Sequence, residues 1–500
     1  MRARGRSWLV WLGCLWGLTG ILGFPQLSPK DQVSRADAEG LTLLRQGKIQ
    51  EADEKFRAVL KVDPENVDAL GGLGVVCSKR GDHAGAVSLL ERALKLAPND
   101  ARNHGNLALA LRGSGRLNDA IAEMQKASSL APEDATMHRN LGVLLMDAKQ
   151  DAQAEEELRA SERLDRSNAA AHQALARLLT RQKRSGEAFA EYRAALRLQP
   201  RQAGLHFELG KLCQANGDYT QAAVELRLAA QLEPADSSYH QALGNIEFRL
   251  RNLTPAEMEL RRAVELSPGS GEAHRDLAVV LREEGKLAEC LQHLRMATQL
   301  LPNDSSVRFM LGQALQKSGQ KEAAGQALQS AQDLGRRQKD LTLADAYVDQ
   351  GAKLLENGQA GEAAAKFQQA LSLSPDNLFA QYDYGLALLL QDKLDEAIEH
   401  FHIVLAAKPD DPDANYYVGR ALLAKGHPAD AAKNLQEAVR AKPDDSHAHN
   451  ALGVALAGTG EYARALTELQ TAHRLVPDNP SFNQNLSCLQ KHLAGCTLSP

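Results

Sequence analysis

The chain has 500 residues, of which 44% are apolar and only 4% aromatic, and its formal net charge at pH 7 is −5. This acidic balance argues against a chain that binds nucleic acid or an anionic membrane surface through a basic face. After residue 24, no run of residues is as apolar and as long as the stretch of about 18 that a membrane-spanning helix needs.

Residues 1–24 have the composition of an export leader. Arg2, Arg4 and Arg6 precede the apolar run WLVWLGCLWGLTGILGF, which ends at Phe24. A basic stretch before an apolar run is typical of an export signal. The sequence predicts either a cleaved signal peptide or an uncleaved anchor at residues 8–24, and both send the remaining chain across a membrane, into the periplasm or cell envelope or out of the cell. Residues 25–32 are interpreted as a linker.

A proline recurs every 34 residues through most of the chain. The prolines are Pro64, Pro98, Pro132, Pro200, Pro234, Pro268, Pro302 and, after a slip of five residues, Pro375, Pro409, Pro443 and Pro477; one is missing, at Arg166. A fixed period of this size is typical of a solenoid of repeated helix pairs. We count thirteen repeats, nine in residues 33–338 and four in residues 344–479.

Other residue types keep the same register. If the proline is position 32, position 8 is Gly or Ala, position 20 is Ala (once Cys290), position 24 is large and apolar, and position 27 is small in most repeats. Each repeat predicts two amphipathic helices, the first ended by a glycine such as Gly81 and the second by the proline. Thr254 and Pro255 predict an N-cap followed by the first helical residue.

This pattern resembles the tetratricopeptide repeat (TPR) family over nearly the whole chain after the leader. The resemblance implies an all-α fold, a right-handed superhelical α-solenoid of about thirteen 34-residue helix-turn-helix units. It also implies that the chain binds protein segments on its concave face. No cofactor is implied.

Two segments depart from the period. GRRQKD, from Gly335 to Asp340, carries the five extra residues, and we place the insertion at 339–343; it predicts a longer helix or loop, or a change in the superhelical path. Residues 480–500 predict a capping helix and tail, because Phe482, Leu486, Leu489 and Leu493 fall on one helical face.

The resemblance also selects candidate binding residues. In the TPR family, positions 2, 5, 9 and 12 of the first helix line the concave face. The aromatic-rich candidates are Phe379, Tyr382, Leu386 and Leu389 in one repeat and Tyr416, with the adjacent Tyr417, in the next. Contact with the next repeat is an equal alternative for them. Asn106, Asn140 and Arg139 are further candidates for the groove.

Histidine occupies position 4 in six successive repeats: His104, His138, His172, His206, His240 and His274. Packed helices lie about 8–10 Å apart, whereas a metal needs ligands at about 2 Å, so we expect no metal here. We interpret the ladder as packing at repeat boundaries, with a ring nitrogen bonded to a neighbour. A further hypothesis is that protonation near pH 6 loosens the array.

The six cysteines suggest packing more than catalysis. Cys77, Cys213 and Cys290 are expected to be inert buried thiols, while Cys488 and Cys496 could form a disulfide in an oxidising compartment. No nucleophile, phosphate-binding or metalloprotease motif is present. The sequence therefore predicts a non-enzymatic scaffold for protein partners, and the alternative is a carbohydrate- or lipid-handling accessory of an envelope enzyme complex.

Overall fold

The computed structural model describes residues 29–491 and residue 498, and this part of the chain contains helices and no strands. It divides into two compact bodies between Gly285 and Lys286. Within each body, every helix packs on the next one along the chain. Each body is therefore an all-α stack of helix pairs, as the period predicts. None of the described helices is both long enough and apolar enough to span a membrane; residues 1–24 lie outside the described part.

The N-terminal body contains helices α1 to α15. Their bounds are α1 Pro29–Arg45, α2 Ile49–Val62, α3 Val67–Lys79, α4 His83–Leu96, α5 Ala101–Gly113, α6 Leu117–Leu130, α7 Ala135–Asp147, α8 Asp151–Leu164, α9 Ala169–Arg181, α10 Ser185–Leu198, α11 Ala203–Ala215, α12 Tyr219–Leu232, α13 Ser237–Arg249, α14 Leu253–Leu266 and α15 Gly271–Glu283. Helix α1 begins four residues before the repeat boundary at Val33, within the predicted linker.

The C-terminal body contains helices α16 to α26. Their bounds are α16 Leu287–Leu300, α17 Ser305–Lys317, α18 Lys321–Glu356, α19 Ala360–Leu373, α20 Leu378–Leu389, α21 Leu394–Ala407, α22 Pro412–Ala424, α23 Pro428–Ala441, α24 Ser446–Gly458, α25 Tyr462–Leu475 and α26 Pro480–Gln490.

Fixed positions begin and end the helices. Position 34 is usually Asp or Asn, and its side chain caps the next first helix; the Oδ1 of Asp100, for example, accepts from the backbone N–H of Arg102 and Asn103. Position 15 has a positive φ, between 59° and 85°, in all thirteen repeats, and nine of these residues are glycine. The predicted N-cap at Thr254 is wrong by two residues, because α14 starts at Leu253 and Pro255 fits into its first turn, where no backbone donor is needed.

The small residue at position 8 lets the two helices of a repeat touch. A Cβ added to Gly244 would lie 2.6 Å from Cγ of Leu260, the position-24 residue, and 3.2 Å from the carbonyl oxygen of Ala256, the position-20 residue. Ala256 and Leu260 are both fully buried. The pattern of small and large residues is therefore a packing contact, as the sequence predicts.

Helix α18 runs through the insertion. Its 36 residues supply the second helix of repeat 9 and the first helix of repeat 10. Near its start, Leu328 packs over Gly312 of α17; near its end, Gly351 receives the ring of Phe367 from α19. Of the alternatives for residues 339–343, the structure has the longer helix.

Helix α26 covers the last repeat, as predicted for a capping helix. Phe482 is buried and Leu486 and Leu489 are partly buried, whereas Leu493 lies outside the described residues. The buried face also contains a polar contact that the apolar pattern does not indicate: Asn485 donates to Oδ1 of Asn450 at 2.9 Å.

The helix contact predicts the effect of filling position 8. We expect Gly244→Val to lower the free energy of unfolding by about 1–3 kcal/mol, since the added methyl groups overpack the contact with Leu260. Gly244→Ala should cost less, because alanine occupies this position naturally at Ala108 and Ala176. The measurement is urea unfolding followed by circular dichroism.

Gly186 supplies the matched control for this substitution, since a Cβ there would meet no atom within 4 Å. Gly186→Val should be close to neutral. Equal losses for the two valine variants would show that the cost does not arise from the contact with Leu260.

Candidate functional site

The histidine ladder forms one repeated contact. At His206, Nδ1 lies 2.7 Å from Oε2 of Glu225 in the second helix of the same repeat, and Nε2 lies 3.0 Å from the carbonyl oxygen of Pro200, at position 32 of the preceding repeat. The equivalent glutamate and carbonyl partners are Glu123 and Pro98 for His104, Glu157 and Pro132 for His138, Glu191 and Arg166 for His172, and Glu259 and Pro234 for His240. We call the bond from position 4 to the preceding carbonyl the position-4 clasp.

The clasp extends beyond the six histidines. The sixth histidine of the ladder, His274, makes the clasp although position 23 of its repeat is not a glutamate. His449 lies outside the ladder, was missed by the sequence analysis, and makes the full contact with Glu468 and the Pro443 carbonyl. Arg308, Gln381, Asn415 and Asn483 donate to the carbonyls of Pro302, Pro375, Pro409 and Pro477. Comparing the same position in all the repeats would have revealed these donors. The interpretation of the ladder as boundary packing is confirmed.

The two partners of each full histidine contact determine its chemistry. At each full contact Nδ1 faces a carboxylate and Nε2 faces a carbonyl, and both of these groups are hydrogen-bond acceptors. At His449, the bond to Glu468 raises the pKa, burial opposes it, and the Pro443 carbonyl adds to the increase. Protonation therefore stabilises this contact. The hypothesis that protonation loosens the array concerns the six histidines of the ladder and stays a hypothesis.

One member of the ladder lies in a group with metal-ligand chemistry. Among the described residues, Glu162, His172 and Glu191 bring one candidate ligand atom each to within 4.8 Å of one another. Nδ1 of His172 already lies 2.6 Å from Oε2 of Glu191, which is a hydrogen-bond distance. This hydrogen bond already uses the Nδ1 atom of His172 and one carboxylate oxygen of Glu191.

The buried cysteines are poor nucleophiles. Cys77 and Cys213 are free and buried, and Cys290 is buried as well. Burial raises the pKa of the Cys213 thiol to about 11, so the reactive thiolate is scarce at neutral pH. Cys488 is disulfide-bonded, and its partner lies outside the described residues.

The aromatic candidates of the C-terminal body form one cluster. The ring of Tyr417 stacks on Phe401 at 5.6 Å, and Tyr382 meets both rings edge-on at 5.7 and 6.0 Å. Tyr416 contacts Tyr417 at 5.1 Å, and the Arg420 guanidinium lies over the Tyr416 ring. The structure brings these side chains together, and much of their surface is used to pack α20 against α21 and α22.

The remaining candidates of this repeat differ in exposure. Leu386 and Leu389 are partly buried and pack at the edge of the same core. Phe379 is 77% exposed, the highest value among the large apolar side chains of the described part. It borders a pocket of about 600 Å³ that also includes Tyr382, Asp383 and Asp413. Phe379 is therefore the predicted aromatic most available to a partner.

This pocket is acidic. Asp383, Asp411 and Asp413 line it, together with the single cation Lys408. Burial raises the pKa of Tyr382, and the neighbouring Tyr417 ring and the three carboxylates add to the increase. Burial alone raises the pKa of Asp383. The pocket therefore combines an exposed ring with a negative field that one ammonium group only partly offsets.

The candidates in the N-terminal body lie elsewhere. Asn106 lines a cavity of about 260 Å³ with Arg102 and Asn103. The side chain of Arg139 donates to Oδ1 of Asn140 at 2.9 Å, and no carboxylate of the described part pairs with it; burial lowers its pKa. Asn140 is not among the residues that line this cavity.

A second contact between repeats, which sequence reasoning missed, uses the groove positions. Glu208, at position 6, accepts from Gln173 and Arg177, at positions 5 and 9 of the preceding repeat. Asp276 accepts in the same way from Gln241 and Asn245. In these repeats the polar groups of the first helices bond to one another, so fewer of them remain for a partner. The signal was present as polar residues at positions 5, 6 and 9.

Helix α18 creates a further open surface. Its residues Gln326, Gln329, Asp333 and Arg337 border a shallow groove of about 690 Å³. A smaller cavity next to it, of about 380 Å³, includes Leu341, which is exposed. This surface has no uncompensated charge and no exposed ring in its lining.

These helix pairs, joined at a fixed 34-residue register and tied by clasps, define a helical-repeat protein. Tetratricopeptide repeat models match residues 38–101, 174–240, 241–305 and 418–480, and a second such model matches residues 111–178 and 354–420. The chain belongs to the tetratricopeptide repeat family. Proteins with these repeats in general mediate protein–protein interactions and are typically non-enzymatic scaffolds.

Several solved structures are similar to the chain. PilF of Pseudomonas aeruginosa is 24% identical over 44% of this chain and 98% of its own, with a TM-score of 0.38. The Cut9–Hcn1 hetero-tetramer of the APC/C is 14% identical over 93% and 96%, with a TM-score of 0.36. A tetratricopeptide repeat protein from Parabacteroides merdae is 15% identical over 50% and 98%, with a TM-score of 0.39. No curated protein sequence matches at a significant level.

The histidine contact predicts a pH dependence. Because its folded-state pKa is raised, His449 stabilises the chain fully below its unfolded value of 6.5, and this contribution is lost as the pH rises through the folded value. We expect His449→Gln to cost about 1.5 kcal/mol at pH 6 and less at pH 9. Gln381 makes the clasp naturally, so the variant keeps the bond to the carbonyl. Urea unfolding at the two pH values measures the difference.

The control for this measurement is His402→Gln, which changes an exposed histidine of α21. It should leave the stability nearly unchanged at both pH values. A cost of His449→Gln that stays constant or grows with pH would contradict the ion-pair interpretation.

Proposed function

We propose that this chain is a non-enzymatic scaffold that binds polypeptide segments of partner proteins on the first-helix face of its repeats. The observation that carries the proposal is Phe379, a 77% exposed ring beside a pocket of about 600 Å³. Exposed aromatic side chains in pockets are frequent anchors of protein interfaces. The family supports the same class of function.

The packing suits a preformed binding surface. Most repeats are tied to the preceding one by the position-4 clasp and, in some repeats, also by bonds among positions 5, 6 and 9, as at Glu208. A surface held in this way loses little conformational freedom when a partner binds, so more of the contact energy remains as affinity.

The structural roles of the histidines and of the buried cysteine support a scaffold more than an enzyme. The histidines of the ladder are used in clasps, and the buried thiol of Cys213 is held in its protonated form. The alternative function, an accessory that handles carbohydrate or lipid, would use the same exposed ring, since an aromatic face also stacks on a sugar. The capture experiment below separates the two.

We further propose that the chain is exported and acts in the cell envelope or outside the cell, with contact to the membrane only through residues 8–24 if these are retained. The basic start and apolar run of residues 1–24 support this proposal. The disulfide at Cys488 supports it independently, because disulfides persist mainly in oxidising compartments.

Crosslinked capture with the full chain in its native cells tests the scaffold. We expect a specific protein to be recovered with the wild type and to be reduced several-fold with Phe379→Ala, because the variant removes an exposed ring without disturbing the core. Direct binding of the two purified proteins should then show the same difference. Tyr382→Ala is a poorer choice, since Tyr382 packs on Phe401.

Leu390→Ala is the matched control, because Leu390 is also exposed but follows the other end of α20. It should leave capture unchanged. Recovery of glycans or lipids with no protein would favour the alternative function, and equal recovery by Phe379→Ala would place the binding surface away from this pocket.

Labelling of intact cells tests the export. A membrane-impermeant, amine-reactive reagent should modify the repeats of the wild-type chain, because they lie beyond the inner membrane, and should leave a variant without residues 2–24 unmodified. N-terminal sequencing of the labelled chain distinguishes a cleaved signal from an anchor. Equal protection of both chains in intact cells, with labelling only after lysis, would overturn the proposal.

A further inference from the structure

The pocket beside Phe379 contains a carboxylate without a partner. Phe379 and Asp383 are four residues apart on α20, so they lie on one face of the helix, one turn apart. Asp383 is half-buried, and within the described part of the chain it has neither a hydrogen-bond donor nor a cation at ion-pair distance. Desolvation is the one cause that shifts its pKa, and it shifts it upward.

The same position in other repeats shows what Asp383 lacks. The position-6 carboxylates Glu208 and Asp276 accept from polar side chains at positions 5 and 9 of the preceding repeat. In the repeat before Asp383 those positions hold Val348 and Ala352, which have nothing to donate. Asp383 therefore occupies a position at which Glu208 and Asp276 receive donors from the preceding repeat, and it lacks those donors.

The rest of the pocket has the charge of a cation site. Asp413 is exposed at its rim, and Asp411 caps α22 with Oδ1 alone, which leaves its other oxygen available. Lys408 is the one cation in the lining, and it is exposed. An incoming cation would meet three carboxylates and the face of a ring.

We propose that this pocket binds an arginine side chain of an extended partner segment, with the guanidinium paired to Asp383 and lying against the ring of Phe379. The inference rests on the proposed scaffold function and names the chemistry that its partner carries. Asp411 and Asp413 add attraction at the rim, and the apolar walls formed by Val404 and Leu378 contact the methylene stem.

Arginine fits these groups better than lysine. A guanidinium is planar, so it can lie flat against an aromatic ring and still donate two parallel hydrogen bonds to one carboxylate. An ammonium is a more strongly hydrated point charge and loses more on entering a half-buried site. An acidic partner segment would meet repulsion from the three carboxylates.

Selection of random displayed dodecapeptides on the immobilised full chain tests this directly. We expect the enriched peptides to share one arginine, and a synthetic peptide from the set to bind Asp383→Asn about tenfold more weakly, which corresponds to about 1.4 kcal/mol. Replacing that arginine by lysine should weaken binding less than replacing it by glutamine. Phe379→Leu, which keeps an apolar side chain but removes the ring, should weaken binding about threefold.

Asp349→Asn is the matched control. Asp349 occupies the same position 6 in the preceding repeat but is exposed, so its removal changes the net charge by the same amount without affecting the pocket. It should leave affinity nearly unchanged. Asp383→Asn is not expected to unfold the chain, because an unpaired, half-buried carboxylate disfavours the folded state at neutral pH; thermal unfolding verifies this.

The outcomes separate the two proposals. Enriched peptides that share no arginine, or that bind Asp383→Asn as tightly as the wild type, overturn the inference and leave the scaffold function standing. Equal losses for Asp383→Asn and Asp349→Asn show attraction by net charge alone and also overturn it. A selection that enriches no peptide on the wild type counts against the scaffold function itself.

Discussion

The position-4 clasp is the interaction on which the arrangement of the repeats depends. The intrahelical bonds and the contact of position 8 with position 24 build each helix pair, but neither ties one pair to the next. The clasp does so in most repeats, because a side chain of the new repeat donates to the carbonyl that ends the previous one, as His206 does to Pro200. Histidine, arginine, glutamine and asparagine all serve as donors. The donor side chain varies, whereas the hydrogen bond to the carbonyl is kept. This is expected when a backbone acceptor would otherwise be left unpaired.

The fold could be predicted from the sequence because its determinants are local and periodic. Small residues such as Gly244 and Ala256 keep a register that only two closely packed helices require. The hydrogen-bond partners of the histidines were harder to predict from the sequence. Glu225 lies 19 residues after His206 and is recognised as its partner only when the two helices are placed side by side. For residues 339–343, the five extra residues suit a helix or a loop equally well, and the packing of α17 and α19 on one long α18 decides between them.

The candidate site could be predicted only in part, for a physical reason. The register identifies which positions face the groove, but not which of those side chains the neighbouring repeat already covers. Tyr382 and Tyr417 pack on Phe401, whereas Phe379 remains exposed. Likewise, an aspartate at position 6 does not by itself indicate whether its carboxylate is hydrogen-bonded within the chain. Asp276 is bonded by its neighbours and Asp383 is not, and the difference lies in two residues of the preceding repeat.

In a repeat protein, a departure from the shared pattern is therefore more informative than the pattern. The repeated contacts stabilise the array and occupy most of the polar groups, so a group left without its usual partner identifies a surface that is open to another molecule. The histidine–glutamate contact and the carboxylate in the pocket also respond oppositely to acid. Protonation strengthens the contact of His449 with Glu468, while it removes the charge of Asp383, whose pKa burial has already raised. Lowering the pH thus favours the contact of His449 and disfavours the binding of a cation by Asp383, so the two contacts can vary independently with pH.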